Sequence, residues 1–532
     1  MADENIPPVS DGPAAPAAGR HRNTGPMFSL RASDVQLYRI ADELSGVLIF
    51  AMVVFSPWAF GTTQPWAIWT MNLAGYALGV LLLVKLFIRE AKGYAAMRWK
   101  ILSTRPGARA GQEQTTARLV ARVLAGLTLA ILAYCLTAAV NADATYNSGT
   151  RLFEYHPCLK WLPHSFDSHR TWAIFWTYLG LAGSFWAIRD WLSGMTPDEE
   201  RAARNQPQTI PGDPAQRLTS RLRWLLWLLC INGALLGLEA IIQRASGSNK
   251  LLFWQATRVN PGGETQFGTY SYRSNAAQYF NLLWPLGLGF WWTLQRGGGL
   301  RGGIHHVLLL CAAVMAACPI ISSSRGGALV SAGILIVAGI YLGATNLFAF
   351  PARSNAGRSR ARTTGLLTLF FAVVVGLGWY FGWDSLQPRM EQIGEGFAGR
   401  EEMFAAARPM AGDYPWFGTG PGTFATVFQL YRISNSTYWP EQLHNDWLET
   451  RITFGWIGLL LLLAALGCIA VRRFVPGRIR AGRRLVVLAW LGLAGCLVHA
   501  RFDFPFQIHS IVMLFLIICA ILFTASGRSS QR

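Results

Sequence analysis

The chain has 532 residues, of which 52% are hydrophobic and only 14% are charged. Soluble domains carry about 25% charged residues, so this composition excludes an ordinary soluble protein. The formal net charge of +19 would suit a polyanionic partner, but the positions of the basic residues give it another meaning.

Long apolar runs recur along the chain. A run of about 18 or more apolar residues can cross the hydrocarbon layer of a membrane as a helix. We predict about twelve such spans, and therefore an all-α, polytopic integral membrane protein. The predicted spans lie near residues 44–60, 66–88, 118–140, 170–192, 222–244, 274–295, 304–321, 325–347, 363–382, 454–471, 485–500 and 508–525.

The basic residues indicate the orientation. Cytoplasmic connections retain Lys and Arg, and most of the 47 such residues fall on the cytoplasmic side when both termini are placed inside. Clusters in 348–362 and 472–484 contribute strongly. The net charge is thus mainly a topological signal, and no nucleic-acid partner is needed.

The spans divide the chain into four parts. Residues 1–43 read as a cytoplasmic tail rather than a signal peptide, and 44–219 form an N-terminal membrane region of about four helices. Residues 220–525 form a second membrane region, and 526–532 a cytoplasmic tail. The polar, proline-containing stretch 193–221 is predicted to be a flexible cytoplasmic loop.

The cysteine pattern gives little sign of disulfide or metal chemistry. Of the eight cysteines, only Cys158 falls in a predicted exported loop, so an intrachain disulfide is not expected there. The sequence has no CxxC or HExxH pattern. We expect no metal site and no cofactor.

The connection 383–453 between the ninth and tenth spans is the most informative segment. Loops this long are usually functional or disordered, and its many aromatic residues favour order. Residues 400–410 are predicted to form a short helix with Phe404 and Ala407 on one face. Arg400 would lie in its first turn, where the helix N-terminus also favours an anion.

Two further elements follow in this loop. Gly418–Gly422 reads as a tight turn rather than a nucleotide loop, because it follows no evident strand and lacks a Lys-Ser/Thr ending. A helix is predicted to begin at Pro440, with Glu441 and His444 on one face. Glu441, one turn earlier, would then orient or charge the imidazole.

Polar residues also mark the predicted outer ends of two spans. Ser324 can cap the eighth span, which adds the charge of Arg325 to a positive helix end. Arg273 opens the sixth span, whose polar stripe should face a cavity or other helices. Each arginine alone is more often an interfacial anchor, and a lone loop histidine is more often a packing residue. The convergence of Arg325, Arg400 and His444 on one side of the membrane favours function.

Five ordered motifs resemble those of the bacterial O-antigen ligase and polymerase superfamily. The resemblance covers roughly residues 220–525 and depends on the ordered set, since none of the motifs would suffice alone. The motifs are RSNAAQYF from Arg273, SRGG from Ser324, Gly399-Arg400 through YPWFGTGPGTF from Tyr414, HNDWL from His444, and HARFDFP from His499.

That resemblance implies a GT-C-like membrane glycosyltransferase in the bacterial inner membrane. Such an enzyme moves a glycan from an undecaprenyl-diphosphate carrier to a hydroxyl acceptor at the periplasmic face. Direct attack by the hydroxyl would invert the anomeric configuration, and two arginines can supply the positive charge without a metal. By resemblance, Arg325 and Arg400 would hold the diphosphate and His444 would be the base. Arg273 is expected at the same substrate site.

Several alternatives remain open at the level of sequence. A ligase acting on lipid A-core, a polymerase and a protein O-oligosaccharyltransferase would differ only in acceptor. The exported loop 141–169 matches no motif and is a candidate for acceptor specificity. A transporter or flippase for lipid-linked sugars is disfavoured, since it should carry ionisable groups at mid-membrane rather than at the outer surface.

Overall fold

The computed structural model describes residues 28–98, 108–205, 218–257, 260–296, 301–347, 356–433, 439–472 and 482–525. In these ranges the chain is predominantly helical. The α-helices are α1 Ala32–Trp58, α2 Pro65–Glu90, α3 Ala108–Val140, α4 Ser168–Leu192, α5 Pro197–Asn205, α6 Ser220–Ala245, α7 Arg273–Arg296, α8 Val307–Ile321, α9 Arg325–Leu347, α10 Ala356–Glu391, α11 Ile393–Asp413, α12 Phe424–Val427, α13 Asp446–Val471, α14 Arg483–His499 and α15 His509–Thr524.

Each predicted span coincides with one of these helices. Eight helices in the described part of the chain are long and apolar enough to cross a membrane. The all-α polytopic class is therefore confirmed. The predicted spans on α4, α7, α14 and α15 are not among the eight, and the total of about twelve stays a prediction.

Several predicted boundaries need correction. α1 begins at Ala32, inside the predicted tail 1–43, and α10 continues to Glu391, inside the predicted loop 383–453. The polar stretch 193–221 contains the helix α5 rather than being wholly irregular. Residues 1–27, 206–217 and 526–532 lie outside the described residues, so the predictions there are not addressed.

Helix α7 lies at the centre of the second membrane region. It packs against α6, α8, α9 and α14, and its side chains Trp284, Phe290 and Trp291 are fully buried. The polar stripe of this helix is also buried: Ser274 and Asn281 face neighbouring helices, as predicted. The amide of Asn281 donates to the carbonyl of Gly327 in α9 at 2.9 Å.

A buried ion-pair network joins the N-terminal helices at the end of the bundle where α2 and α4 finish. Lys85 Nζ lies 3.1 Å from a carboxylate oxygen of both Asp42 and Asp190. Arg221 of α6 also pairs with Asp42, at 2.5 Å. Because burial makes an unpaired charge costly, this network holds α1, α2, α4 and α6 together.

The connection between α10 and α13 has a hydrophobic core of its own. Phe404, Met410, Phe424, Leu443 and Ile452 are buried together there, so the described part of this long segment is packed, as its aromatic residues predicted. Beside it lies a two-stranded antiparallel sheet, β1 Ala144–Asn147 and β2 Leu152–Tyr155, in which Ala144 pairs with Tyr155. Both features lie at the end of the bundle where α7 and α9 begin, here called the site end.

Candidate active site

A cavity of about 530 Å³ opens at the site end. The part near the starts of α7 and α9 is polar, and the part further along α9 is apolar. Its lining comes from the N-termini of α7 and α9, the α10–α11 junction, and the last turns of α14 with the residues that follow. The cavity therefore joins elements that are far apart in sequence.

Four arginines converge on the polar part. Arg273 and Arg325 are the first residues of α7 and α9, Arg389 lies in the last turn of α10, and Arg400 lies in α11. Asp503 is the only carboxylate among the lining residues described. The excess of fixed positive charge makes this part of the cavity suited to an anion with several oxygens, such as a diphosphate.

Backbone carbonyls hold these guanidinium groups in place. Arg325 Nη1 donates to the carbonyl of Gln392 at 2.8 Å. Arg400 Nη1 donates to the carbonyl of Phe502, and its Nη2 lies 3.3 Å from the hydroxyl of Tyr272. These partners are neutral, so they leave the positive charge available to a ligand.

The apolar part is a groove between α9 and α14. Leu329, Gly333 and Val337 line one wall, at the four-residue spacing of a single helix face. Val498 lies on the other wall and is 55% exposed, while Leu329 is 50% exposed. Exposed apolar side chains on membrane helices face lipid. The groove can therefore receive a long apolar chain from the bilayer.

His444 stands beside the polar part, next to Asp503. Its Nδ1 lies 2.9 Å from Asp503 Oδ1, and its ring makes edge contacts with Phe504 and Tyr272. A hydrogen bond from Nδ1–H to a carboxylate leaves Nε2 of the neutral ring free to accept a proton. His444 also has a φ of 58°, an unusual conformation that the surrounding structure must maintain.

Asp503 connects this histidine to the arginines. Its Oδ2 accepts a hydrogen bond from Ser274 Oγ at 2.5 Å and lies 3.8 Å from Arg400 Nη2. Burial alone would raise the pKa of the Asp503 carboxyl, but the hydrogen bond from His444 and the charges of His444 and Arg400 outweigh burial and hold the pKa well below its usual range. The carboxylate is therefore ionised.

The structure brings most of the predicted site residues together. Arg273, Arg325 and Arg400 line one cavity, and His444 touches two of its lining residues, Asp503 and Tyr272. The predicted helix from Pro440 is wrong, because α13 begins only at Asp446.

Glu441 consequently lacks the position that was expected of it. It is exposed and precedes the helix, so it does not lie one helical turn from His444. Asp503 is the carboxylate hydrogen-bonded to His444.

The reason given for Arg400 also needs correction. α11 begins at Ile393, so Arg400 lies beyond the first turn and is not at the helix N-terminus. The predicted face is confirmed, since Phe404 and Ala407 are buried. The helix-end argument does hold for Arg325, because Ser324 Oγ accepts a hydrogen bond from the N–H of Gly327 at 3.1 Å and caps α9.

Sequence reasoning assigned no role to Arg389, Tyr272, His499 or Asp503. Arg389 and Tyr272 had no distinguishing pattern. His499 and Asp503 lie in the last of the five motifs, which was the available signal. His499 is buried, and its Nε2 lies 3.2 Å from Ser274 Oγ, so it supports the same network as Asp503.

Two buried carboxylates brace the segments that carry His444 and Asp503. Glu449 accepts a hydrogen bond from the N–H of Leu443 at 2.7 Å, and Asp446 accepts one from the N–H of Phe506 at 2.7 Å. Within the described ranges, no group of three or more His, Cys, Asp or Glu residues is placed to hold a metal ion.

The fold and the site together define a class: a polytopic helical membrane protein with an arginine-lined cavity that continues into an apolar groove. Residues 310–463 match the family model described as O-antigen ligase. This match supports the O-antigen ligase and polymerase superfamily that the motifs predicted, and in general a membrane protein that transfers glycans as a ligase or polymerase. The matched segment includes Arg325, Arg400 and His444. No curated protein matches the chain.

Proposed function

We propose that this protein transfers a glycan from an undecaprenyl-diphosphate carrier to an acceptor hydroxyl, as an O-antigen ligase acting on lipid A-core. The observation that carries the proposal is the two-part cavity. It combines four arginines with an apolar groove between α9 and α14, which matches a substrate with a diphosphate head and a long prenyl tail.

The arginines would bind and stabilise the leaving group. A glycosyl diphosphate gains negative charge on its bridging oxygen as the glycosidic bond breaks. Arg325 and Arg400 present planar guanidinium groups that can each contact two phosphate oxygens. Arg273 and Arg389 add positive charge at the same place, and this charge is fixed before the reaction starts.

His444 would act as the general base. Its Nε2 takes the proton of the acceptor hydroxyl as that oxygen attacks the anomeric carbon, and the carbon–oxygen bond to the diphosphate breaks with its electron pair on the phosphate. Asp503 stabilises the imidazolium that forms, through the 2.9 Å contact at Nδ1. Direct attack inverts the anomeric configuration. Such a base contributes about 10²–10⁴ to the rate.

The cellular arrangement is part of the proposal. The protein lies in the bacterial inner membrane with both termini in the cytoplasm, and the site end faces the periplasm. The arginine-rich segments 348–362 and 472–484 support this orientation, because basic connections stay on the cytoplasmic side.

A reconstituted assay tests the function directly. Purified protein in phospholipid vesicles is given undecaprenyl diphosphate carrying a labelled glycan, together with lipid A-core. We expect label on lipid A-core, release of undecaprenyl diphosphate, and inversion at the new glycosidic bond. Movement of the donor from one leaflet to the other, without formation of a new glycosidic bond, would indicate a flippase and overturn the proposal.

Membranes from a deletion strain test the acceptor. Loss of a ligase leaves full-length glycan on its carrier, whereas loss of a polymerase leaves short repeats. Loss of a protein O-oligosaccharyltransferase leaves unglycosylated protein. Either of the last two results would keep the site chemistry but replace lipid A-core as the acceptor.

A further inference from the structure

Helix α13 is broken at Gly455, close to its site end. Gly455 has φ 61° and ψ −168°, which no helix accommodates. The next two N–H groups therefore leave the helix, and Trp456 donates to the carbonyl of Pro415 at 2.9 Å and Ile457 to that of Trp416 at 3.2 Å. In a membrane helix, each freed backbone group needs another partner.

The break also frees two carbonyls on its N-terminal side, those of Ile452 and Thr453. Both accept hydrogen bonds from the same segment, residues 415–420. Ile452 accepts from the N–H of Thr419 at 2.9 Å, and Thr453 accepts from the N–H of Gly420 at 3.0 Å. Four backbone hydrogen bonds thus join the break to residues 415–420. The glycine-rich turn completes the hydrogen bonding of a broken helix.

Two of the glycines have no room for a side chain. A Cβ at Gly455 would lie 2.2 Å from the carbonyl oxygen of Trp416, and one at Gly418 would lie 2.5 Å from those of Ile452 and Thr453. Both glycines have positive φ. Backbone atoms of the turn and of the break can approach this closely only because both positions are glycine.

The N-terminal membrane region holds the turn against the break. The hydroxyl of Tyr134 in α3 lies 2.7 Å from the carbonyl oxygen of Phe417 and 2.9 Å from that of Phe454, so it can donate to either. Those two residues immediately precede Gly418 and Gly455. The N–H of Phe166, just before α4, also donates to the carbonyl of Thr419 at 3.0 Å.

The half-helix 446–454 beyond the break carries the candidate base. His444 precedes it by two residues, and Asn445 caps it by accepting from the N–H of Leu448 at 3.2 Å. Glu449 in the half-helix accepts from the N–H of Leu443 at 2.7 Å. Both flanks of His444 are thus tied to the half-helix, whose direction is set at the break.

We propose that the Gly418–Gly422 turn and Gly455 form a backbone clasp, closed by Tyr134, which positions His444 for proton transfer. Gly418, Gly455 and Tyr134 are positioning residues, and the N-terminal region supports the base rather than only anchoring the chain. The role in proton transfer rests on the proposed function. The geometric role does not, and can be measured separately.

The test compares two clasp variants with two matched controls. Tyr134→Phe removes the bridging hydroxyl, and Gly455→Ala places a methyl group in the clasp. Tyr76→Phe is the control for the first, because Tyr76 also donates to a backbone carbonyl between helices, that of Trp176 at 2.8 Å. Gly467→Ala is the control for the second, since it lies in α13 with no neighbouring atom within 4 Å of an added Cβ.

The first measurement is the rate at which diethyl pyrocarbonate modifies His444 in the intact protein, read by mass spectrometry. We expect about a three- to tenfold faster modification in Tyr134→Phe, the effect of one net hydrogen bond. The second measurement is transfer kinetics, in which kcat should fall about tenfold while the KM for donor stays unchanged. The arginines lie on other helices, so donor binding is not affected.

The outcomes separate the two proposals. Modification rates and kcat in Tyr134→Phe equal to those in Tyr76→Phe would overturn the clasp, even if Gly455→Ala fails to fold. A donor KM that rises together with the loss of kcat would also overturn it, because that indicates general disruption. Wild-type protein that transfers no glycan refutes the proposed function, whereas the modification rates still decide the clasp.

Discussion

His444 and Asp503, which lie 59 positions apart in the sequence, form a hydrogen-bonded pair with Nδ1 and Oδ1 2.9 Å apart. The second oxygen of Asp503 faces Ser274 and Arg400. One carboxylate therefore touches both the candidate base and an arginine of the anion-binding cavity. This relationship makes Asp503, rather than Glu441, the residue that should control the behaviour of the histidine.

We expect Asp503→Asn to lower kcat by about one to two orders of magnitude, a part of the 10²–10⁴ that a base contributes. The variant's amide cannot balance the charge of the imidazolium that forms as His444 takes the proton, which raises the barrier of that step. In wild type the neighbours of Asp503 hold its pKa below the ordinary value, so the carboxylate stays ionised in mild acid and keeps this role. Glu441→Gln is the comparison, and a loss of kcat in that variant alone would restore the sequence-based assignment.

Arginine geometry at the cavity gives a second prediction. Lysine keeps the charge but cannot contact two phosphate oxygens in one plane, so Arg325→Lys and Arg400→Lys should each lower kcat/KM for donor about tenfold or more. Arg408→Lys is the matched control, since Arg408 lies on α11 with Arg400 but is exposed. Wild-type kinetics in both cavity variants would make these arginines interfacial anchors.

The apolar groove between α9 and α14 gives a third prediction. Gly333 lines the groove, and no atom lies within 4 Å of a Cβ added there, so Gly333→Leu should fold and fill the space intended for the prenyl tail. Overpacking typically costs about 1–3 kcal/mol, which predicts at least about a fivefold rise in the KM for a long-chain donor. Gly343→Leu, on the same helix and equally open, should leave KM unchanged. Equal KM values in the two variants would place the tail elsewhere.

We also expect transfer to proceed without a divalent metal. Asp446 and Glu449, the carboxylates that follow His444 in the sequence, already accept backbone hydrogen bonds at 2.7 Å, and two or more arginines can supply the positive charge that a metal would bring. Activity should persist in excess EDTA. Loss of activity that magnesium or manganese restores would contradict this expectation.

The sequence predicted the spans because an apolar run long enough to cross a membrane rarely forms any structure other than a transmembrane helix. It also predicted that Arg273, Arg325 and Arg400 share one side of the membrane. It could not predict that Asp503 pairs with His444, because that contact depends on how the connection after α14 meets the start of α13. Sequence spacing suggested Glu441 instead, on the assumption that a helix starts at Pro440.

The glycine-rich motif shows a similar limit. Its residues correctly indicated a turn. Its hydrogen-bonding partners, however, are the backbone groups freed by the break at Gly455. A single glycine inside an apolar run gives no sign that a helix is interrupted there, so the relation between the two segments appears only in three dimensions.

The sharpest prediction concerns His444 itself. His444→Ala should nearly abolish transfer while leaving protein level and donor binding largely intact, because the four arginines proposed to bind the donor lie on α7, α9, α10 and α11. A residue that only hydrogen-bonds the donor would instead weaken donor binding and cause a milder loss of rate. Kinetics of purified protein at saturating donor, with donor binding measured separately, distinguish the two roles. A variant that keeps more than about a tenth of the wild-type rate falls outside the range of general-base catalysis, and the assignment would then fail.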